Sequence, residues 1–155
     1  MKWYLRAYYN SIHTCSIYSW SRARKHGNFS FLQKKHFNTP ANKIPQNSTL
    51  AGEECYLSLL TELWHEFGQS KELKKEIDLR TDLMELNLEY LIEGDRCLLN
   101  DIKIVKAELE KLLKESSNSV DFDFDKEVGK VAQHLGRAIN QKETTIFEYY
   151  ASTKV

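Results

Sequence analysis

Apolar side chains recur at helical spacing from Tyr56 onward, and this recurrence is the clearest pattern in the chain. Intervals of three and one residues place the first group on one helix face: Tyr56, Leu59, Leu60, Leu63, Trp64 and Phe67. Gly68 follows, and glycine is common just past a helix C-terminus because it tolerates the left-handed conformation. Serine is a preferred N-cap residue, so Ser70 predicts the start of the next helix. The pattern predicts two helices joined by a tight turn.

A seven-residue apolar repeat then predicts one long helix from Lys71 to about Glu115. The repeat positions are all apolar: Ile77, Met84, Leu91, Leu98, Val105 and Leu112. Positions four residues after members of the repeat add Leu88, Ile102 and Leu109, which gives the helix the seam of a coiled coil. At about 1.5 Å per residue this helix would be a rod of roughly 65 Å. Gly94 and Asp95 interrupt the seam, so we expect a bend or a local loosening there.

The polar stretch after this repeat predicts a turn and then a third helix. Asp121, Asp123 and Asp125 supply the negative charge that stabilises a helix N-terminus. The apolar positions of the third helix are less regular: Phe124, Val128, Val131, Leu135, Ala138, Ile139 and Ile146. For residues 50 to 150 the sequence therefore predicts an all-α, coiled-coil-like association module, an elongated helical hairpin with a long coiled-coil-like helix and a third helix.

The first 49 residues differ in composition from the rest of the chain. They hold eight of the 22 Lys and Arg residues, none of the 22 Asp and Glu residues, and half of the aromatic residues. They show no sustained helical or alternating period, and Pro40 and Pro45 close the segment, which is typical of a loop or tail. We expect residues 1–49 to be a mostly irregular, disordered extension that is basic and rich in aromatic residues.

Three further interpretations of this segment are open. An acid-free composition rich in Arg and Ser is also typical of a mitochondrial transit peptide. A basic and aromatic segment is also suited to nucleic acid or to a membrane surface, and binding to nucleic acid would weaken as the salt concentration rises. The third interpretation is that the segment is an upstream stretch that is not part of the folded protein.

No motif in the sequence predicts an enzyme active site, a cofactor or a metal centre. Cys15, Cys55 and Cys97 are far apart and odd in number, which favours a reducing compartment over a disulfide framework or a zinc site. The alternating acids at 121, 123 and 125 lack the glycine and glutamate of a calcium-binding loop, so helix capping is the better interpretation. His65 beside Glu66 is typical of the solvated edge of a helix. Glycine-rich phosphate loops and apolar runs long enough to span a bilayer are also missing from the sequence.

Residues 59 to 68 carry a motif that resembles a known family. A leucine-rich turn leads into the sequence Leu-Trp-x-Glu-hydrophobic-Gly, which is formed by Leu63, Trp64, Glu66, Phe67 and Gly68 and precedes a polar helix start. Residues 98–113 resemble the leucine-containing end of the family's long helix, and residues 135–148 resemble its Gln-Lys-Glu and closing hydrophobic-Phe segment. Over about residues 53 to 148 the chain is similar to the N-terminal dimerisation region of the anaphase-spindle-elongation and protein-regulator-of-cytokinesis family, which includes plant microtubule-associated bundlers.

This resemblance implies a non-enzymatic microtubule crosslinker, an elongated homodimer that bundles microtubules in the spindle midzone during cytokinesis. Its partners would be a second copy of itself and microtubules, the latter through a region beyond this chain, in the cytoplasm and the cytoskeleton, with no small-molecule substrate and no membrane. The residues expected in the dimer interface or hairpin core are Leu59, Leu63, Trp64, Phe67, Ile77, Met84, Leu88 and Leu91. The alternative function is a small mitochondrial helical assembly or scaffold protein, imported by a basic N-terminal presequence.

Overall fold

The structure is a computed structural model that describes residues 7–45, 49–68, 70–118 and 124–153. Six α-helices lie in these ranges: α1 (Ile17–His26), α2 (Leu50–Phe67), α3 (Lys71–Glu93), α4 (Leu98–Asn118), α5 (Phe124–Leu135) and α6 (Ile146–Thr153). Three short 3-10 helices lie between α1 and α2, at Phe29–Leu32, Lys34–His36 and Ala41–Lys43. The described residues form no strand, so the predicted all-α fold class is confirmed. The expected helix caps Asp121 and Asp123 lie outside the described residues.

The described residues divide into two compact units. Unit one contains α1, the three 3-10 helices, α2, α5 and α6, and unit two contains α3 and α4. The sequence predicts a boundary between residues 49 and 50, with all folded structure after it. In the structure the chain before α2 packs in the same unit as α2, and the boundary falls after Phe67.

The acid-free N-terminal segment is folded from residue 7 to residue 45. Its buried apolar side chains supply much of the core of unit one: Tyr8, Ile12, Cys15, Ile17, Trp20, Ala23, Phe29, Phe31, Leu32 and Ile44. Glu62 of α2 holds the start of the segment, since its carboxylate accepts hydrogen bonds from the Ser11 hydroxyl at 2.7 Å and the Ile12 amide at 2.9 Å. The expected disorder is therefore wrong for these residues, because short 3-10 helices and turns bury side chains without leaving a helical period in the sequence.

Helix α1 is the regular element of this segment. The Ser16 side chain caps its N-terminus by accepting a hydrogen bond from the Ser19 amide at 3.3 Å. Gly27, with a φ of 59°, ends the helix in the left-handed conformation. Basic residues occupy its last turn, where positive charge interacts favourably with the helix dipole. The buried face is Ile17, Trp20 and Ala23, at a spacing of three residues.

Three stacked aromatic rings join α1, the first 3-10 helix and α2. The Tyr56 ring of α2 lies 4.9 Å from the Trp20 ring and 4.5 Å from the Phe29 ring, measured between centroids. Leu59 of α2 is fully buried one turn further on. A Cβ at Gly52 would lie 3.1 Å from the Phe29 Cβ, so a larger residue there would require a small shift of Phe29. The core of unit one therefore lies where the N-terminal segment crosses α2.

The predicted third helix is two helices in the structure. Helix α5 ends because Gly136, with a φ of 63°, leaves the right-handed helical region. Helix α6 then returns to the N-terminal segment, where the Ile146 amide donates to the Cys15 carbonyl at 2.9 Å and the Phe147 amide donates to the Ile12 carbonyl at 3.1 Å. The two ends of the described chain are thus tied together by backbone hydrogen bonds within unit one.

Replacing Gly52 by valine should destabilise unit one, because the added methyl groups would enter the contact between α2 and Phe29. We expect Gly52→Val to lower the free energy of unfolding by about 1 to 3 kcal/mol. The matched control is Gly129→Val in α5, where an added Cβ meets no atom within 4 Å. The control should change stability by less than about 1 kcal/mol. Urea unfolding of both variants measures the difference, and equal stability would contradict the close approach at Gly52.

Candidate association surface

Gly94 separates α3 from α4. Its φ of 68° and ψ of 13° place it in the left-handed region, and its amide donates to the Tyr90 carbonyl at 2.9 Å. A residue in this conformation cannot continue a right-handed helix. The predicted single helix from Lys71 to Glu115 is therefore wrong, because the chain forms two helices that pack against each other as a hairpin.

Asp95 begins the turn into α4. Its Oδ1 accepts a hydrogen bond from the Cys97 amide at 2.8 Å, and its carbonyl accepts one from the Leu98 amide at 3.3 Å. These bonds satisfy amides that a helix start leaves without an intrahelical partner. The Asp95 carboxylate also raises the pKa of the Cys97 thiol, through a side-chain hydrogen bond and through its charge. The two residues expected to bend a helix thus end one helix and start another.

The inner face of the hairpin contains apolar side chains and an ion pair. Leu79 of α3 is buried, as are Ile102 and Leu109 of α4, which the sequence placed on the seam. Glu76 of α3 is also buried, and its Oε1 accepts a hydrogen bond from the Arg80 Nε at 3.0 Å. A carboxylate inside a helical pair is tolerated when a hydrogen-bonded cation compensates its charge.

The half of the hairpin that adjoins the turn leaves four large apolar side chains in solvent. The exposed fractions are 44% for Leu88, 72% for Leu91, 83% for Ile92 and 58% for Ile104. The first three share one face of α3, because they are spaced at three and four residues. The other large apolar side chain exposed in the described ranges is Leu50, at 47%. We call these four exposed residues of unit two, three on one face of α3 and Ile104 on α4, the hairpin patch, and they are the candidate association residues.

Four of the eight predicted interface or core residues lie in unit one. Leu59 and Leu63 are buried there, so they belong to the core of a single chain. Trp64 and Phe67 are half-buried on the same helix. The Phe67 ring lies 5.4 Å from the Phe147 ring of α6, measured between centroids. These four residues therefore hold α2 inside unit one.

The other four predicted residues lie on α3 and follow a gradient of exposure. Ile77 and Met84 are half-buried, whereas Leu88 and Leu91 are exposed. The sequence therefore identifies half of the hairpin patch. It misses Ile92 and Ile104 because neither residue falls on the seven-residue repeat or on its companion positions.

An open groove of about 560 Å³ runs beside α2. Its lining residues are Asn10, Glu54, Leu57, Ser58, Thr61, Glu62 and His65. Glu62 is already engaged by Ser11 and Ile12, so its carboxylate holds the N-terminal segment in place. Within the described ranges, no group of three or more His, Cys, Asp and Glu side chains is arranged to hold a metal ion. None of the helices described there is long and apolar enough to cross a membrane.

Cys15 and Cys55 are buried thiols in the core of unit one. Burial raises the pKa of Cys15 well above its ordinary value, and the neighbouring Cys55 raises it further. Burial and then Glu54 raise the pKa of Cys55 to about 12, and Lys34 opposes them. The Cys55 thiol donates to the Tyr9 carbonyl at 2.9 Å. Both thiols are therefore neutral at physiological pH and act as small apolar groups of the core.

Comparisons of the chain with protein-family models, with curated proteins and with solved structures found no match. The class that the structure itself defines is an all-α chain of two compact units, one of which exposes an apolar hairpin patch. The resemblance to the microtubule crosslinkers stays a prediction.

Replacing Gly94 by alanine tests the hairpin turn directly. Alanine is strained at a φ of 68°, so we expect Gly94→Ala to lower the free energy of unfolding by about 1 kcal/mol. Gly129→Ala in α5 is the control, because that glycine lies within an α-helix and the same change should raise stability by up to about 1 kcal/mol. Thermal unfolding followed by circular dichroism compares the two. A stabilising effect of Gly94→Ala would mean that α3 and α4 prefer to form one continuous helix.

Proposed function

We propose that the chain is a non-enzymatic association module that forms a homodimer through the hairpin patch. The observation that supports this function is the exposure of Leu88, Leu91, Ile92 and Ile104 on one half of the hairpin. Burying apolar surface stabilises an association by about 25 cal/mol per Å². Soluble monomers rarely leave large apolar groups clustered in solvent unless a partner covers them.

The charges beside the patch favour a second copy as the partner. Glu89 and Glu93 are exposed next to the patch on α3, and Lys103 and Lys106 are exposed next to it on α4. In a two-fold contact, α3 of one copy can face α4 of the other, which brings opposite charges together at both edges. Such a contact would pair opposite charges in addition to burying apolar side chains.

Microtubule bundling in the spindle midzone is the narrower form of this proposal. It is supported by the motif at residues 63–68 and by the order of the segments that resemble the crosslinker family. The resemblance implies one long helix after the motif, whereas α3 ends at Glu93. In this proposal the chain therefore supplies the association between copies, and the spacing between microtubules comes from elsewhere.

The mitochondrial scaffold alternative interprets the basic segment as a presequence. Unit one is built on that segment, since Trp20 and Phe29 stack on Tyr56. Removing residues 7–45 would expose Tyr56 and the buried leucines of α2 to water. Residues 7–45 are therefore part of the folded unit one. The geometry supports the association module better than an imported scaffold.

Replacing Leu91 and Ile92 together by glutamine should weaken the homodimer, because both are more than two-thirds exposed in the single chain. A two-fold contact contains both residues twice, so four side chains change. At about 1.5 kcal/mol for each buried side chain, the loss of about 6 kcal/mol should raise the dissociation constant about ten-thousandfold. Sedimentation equilibrium over a range of concentrations measures this change in the full chain.

The matched control is Leu50→Gln, which makes the same kind of change at the exposed apolar residue of unit one. It should leave the dissociation constant unchanged. A wild-type chain that remains monomeric at high concentration would remove the homodimer from the proposal. Equal weakening by the control would show that the hairpin patch is not the interface.

The midzone proposal predicts where the chain accumulates in dividing cells. A fluorescent fusion of the full chain should concentrate between separating chromosomes by pairing with cellular copies that reach microtubules through the region beyond this chain. The Leu91→Gln, Ile92→Gln variant should lose this accumulation because it no longer pairs. Time-lapse imaging measures the midzone intensity relative to the cytoplasm. A diffuse wild-type signal, with homodimerisation intact in solution, would contradict the microtubule role and leave the association role standing.

A further inference from the structure

Two cations flank one aromatic ring on the surface of unit one. The Arg22 guanidinium carbon lies 4.8 Å from the centroid of the Tyr18 ring, and the Lys142 Nζ lies 5.3 Å from the same centroid. The guanidinium is also 5.3 Å from the Phe31 ring, and the Lys142 Nζ is 5.9 Å from the Phe37 ring. We call these five residues the cationic aromatic cluster.

Hydrogen bonds and ring contacts hold this cluster in place before any ligand arrives. The Arg22 Nη1 donates to the Tyr18 hydroxyl at 2.6 Å. The Tyr18 amide donates to the Gln141 carbonyl at 3.0 Å, which fixes the loop that carries Lys142 beside α1. The Phe37 ring meets the Tyr18 ring edge-on at 6.3 Å between centroids. A cluster fixed in this way loses little conformational freedom on binding, which favours affinity.

The positive charge of the cluster is not neutralised within the described part of the chain. Among the described residues, no ion pair joins a carboxylate to Arg22 or Lys142. Two carboxylates near the Lys142 loop have other partners: Asp125 Oδ1 accepts a hydrogen bond from the Gln141 side-chain amide at 2.9 Å, and Glu148 Oε2 accepts one from the Thr145 amide at 2.8 Å. Glu143 is exposed beside Lys142 in the sequence. Two cations around one ring repel each other, and the ring faces offset only part of that repulsion. An anion that contacts both cations would reduce this repulsion.

The surrounding segment extends this positive charge. Arg24 and Lys25 are exposed in the last turn of α1, and Lys34 and Lys35 are exposed just before Phe37. The whole stretch from residue 7 to residue 45 contains no Asp or Glu. A repeating polyanion would therefore find several cations near the cluster, which a single small anion would not use.

We propose that the cationic aromatic cluster binds single-stranded nucleic acid. Its phosphates would pair with Arg22 and Lys142, and a base would stack at the half-buried ring of Phe37. Unpaired bases offer flat faces for such stacking, whereas a duplex hides them and a lipid headgroup has none. Basic groups alone would suit all three ligands, so the aromatic rings beside the cations decide between them.

Fluorescence anisotropy with a fluorescein-labelled oligothymidine tests the proposal on the full chain. Arg22→Gln and Lys142→Gln should each weaken binding and reduce the slope of log K against log salt by about 0.7, the value for one lost phosphate contact on a single strand. Phe37→Leu should weaken binding about tenfold with little change in that slope, because it removes a stacking surface and no charge. Circular dichroism checks the fold of each variant.

The matched control is Lys130→Gln, which removes one exposed charge from α5 of the same unit, where Lys130 pairs with Glu127 at 2.6 Å. Its affinity should equal that of the wild type. Lys142 is exposed on a loop, so Lys142→Gln keeps the test valid even where a change at Arg22 disturbs the fold. Wild-type affinity for Lys142→Gln, or an equal loss in Lys130→Gln, would overturn the cluster as the site.

Two further ligands separate the sources of negative charge. In a flotation assay, the chain should not rise with vesicles that contain phosphatidylserine. A thymidine–adenosine duplex of equal length should bind the chain more weakly than the single strand does. Flotation with the vesicles without binding of the oligonucleotide would overturn the proposal in favour of a membrane surface. Equal binding of duplex and single strand would overturn the stacking at Phe37.

Discussion

The stacking of Tyr56 between Trp20 and Phe29 is the contact on which unit one depends. It joins α1, the first 3-10 helix and α2. Aromatic pairs of this kind contribute beyond the area they bury, by about 0.5 to 1.5 kcal/mol each. The close approach at Gly52 and the carboxylate bonds of Glu62 both serve the same crossing of the N-terminal segment over α2. Once this crossing forms, Cys15 and Ile12 are in place to accept the backbone bonds of α6.

The parts of the fold that the sequence predicts correctly are those set by local chemistry. Helix α2 ends at Phe67, Gly68 adopts a φ of 62°, and the Ser70 side chain accepts a hydrogen bond from the Leu73 amide at 3.0 Å, as the turn pattern predicts. Each of these features depends on residues a few positions apart. The apolar seam at Ile102 and Leu109 is likewise local to one helix and is buried as expected.

The parts that the sequence does not predict depend on contacts between distant residues. The seven-residue repeat passes from Leu91 to Leu98 in register, although Gly94 and Asp95 interrupt the seam between them. The pattern therefore cannot distinguish a bent helix from a hairpin in which α4 packs against α3. The two possibilities differ in the backbone conformation of Gly94, and glycine is compatible with both. The folding of residues 7–45 is similar, because Trp20 and Phe29 stack on Tyr56, a residue distant in the sequence.

The same contrast separates the two candidate surfaces. Half of the hairpin patch is visible in the sequence, since Leu88 and Leu91 lie on the apolar repeat. In the cationic aromatic cluster, the four-residue spacing of Tyr18 and Arg22 is visible in a helix, but Lys142 comes from a loop near the other end of the chain. Two backbone bonds, from the Tyr18 amide to the Gln141 carbonyl and from the Ile17 amide to the Thr144 carbonyl, bring that lysine to the ring.

The two surfaces lie in different units and use different physical forces, so a change in one leaves the chemistry of the other intact. The hairpin patch is apolar, so the pairing proposed for it would be insensitive to moderate salt. The cationic aromatic cluster is charged, so the affinity proposed for a polyanion would fall steeply as salt rises. A homodimer would carry two clusters, and two sites on one strand act together when the strand can reach both. Pairing through unit two would then strengthen binding through unit one with no new contact at the cluster, which makes the apparent affinity for a long strand depend on protein concentration.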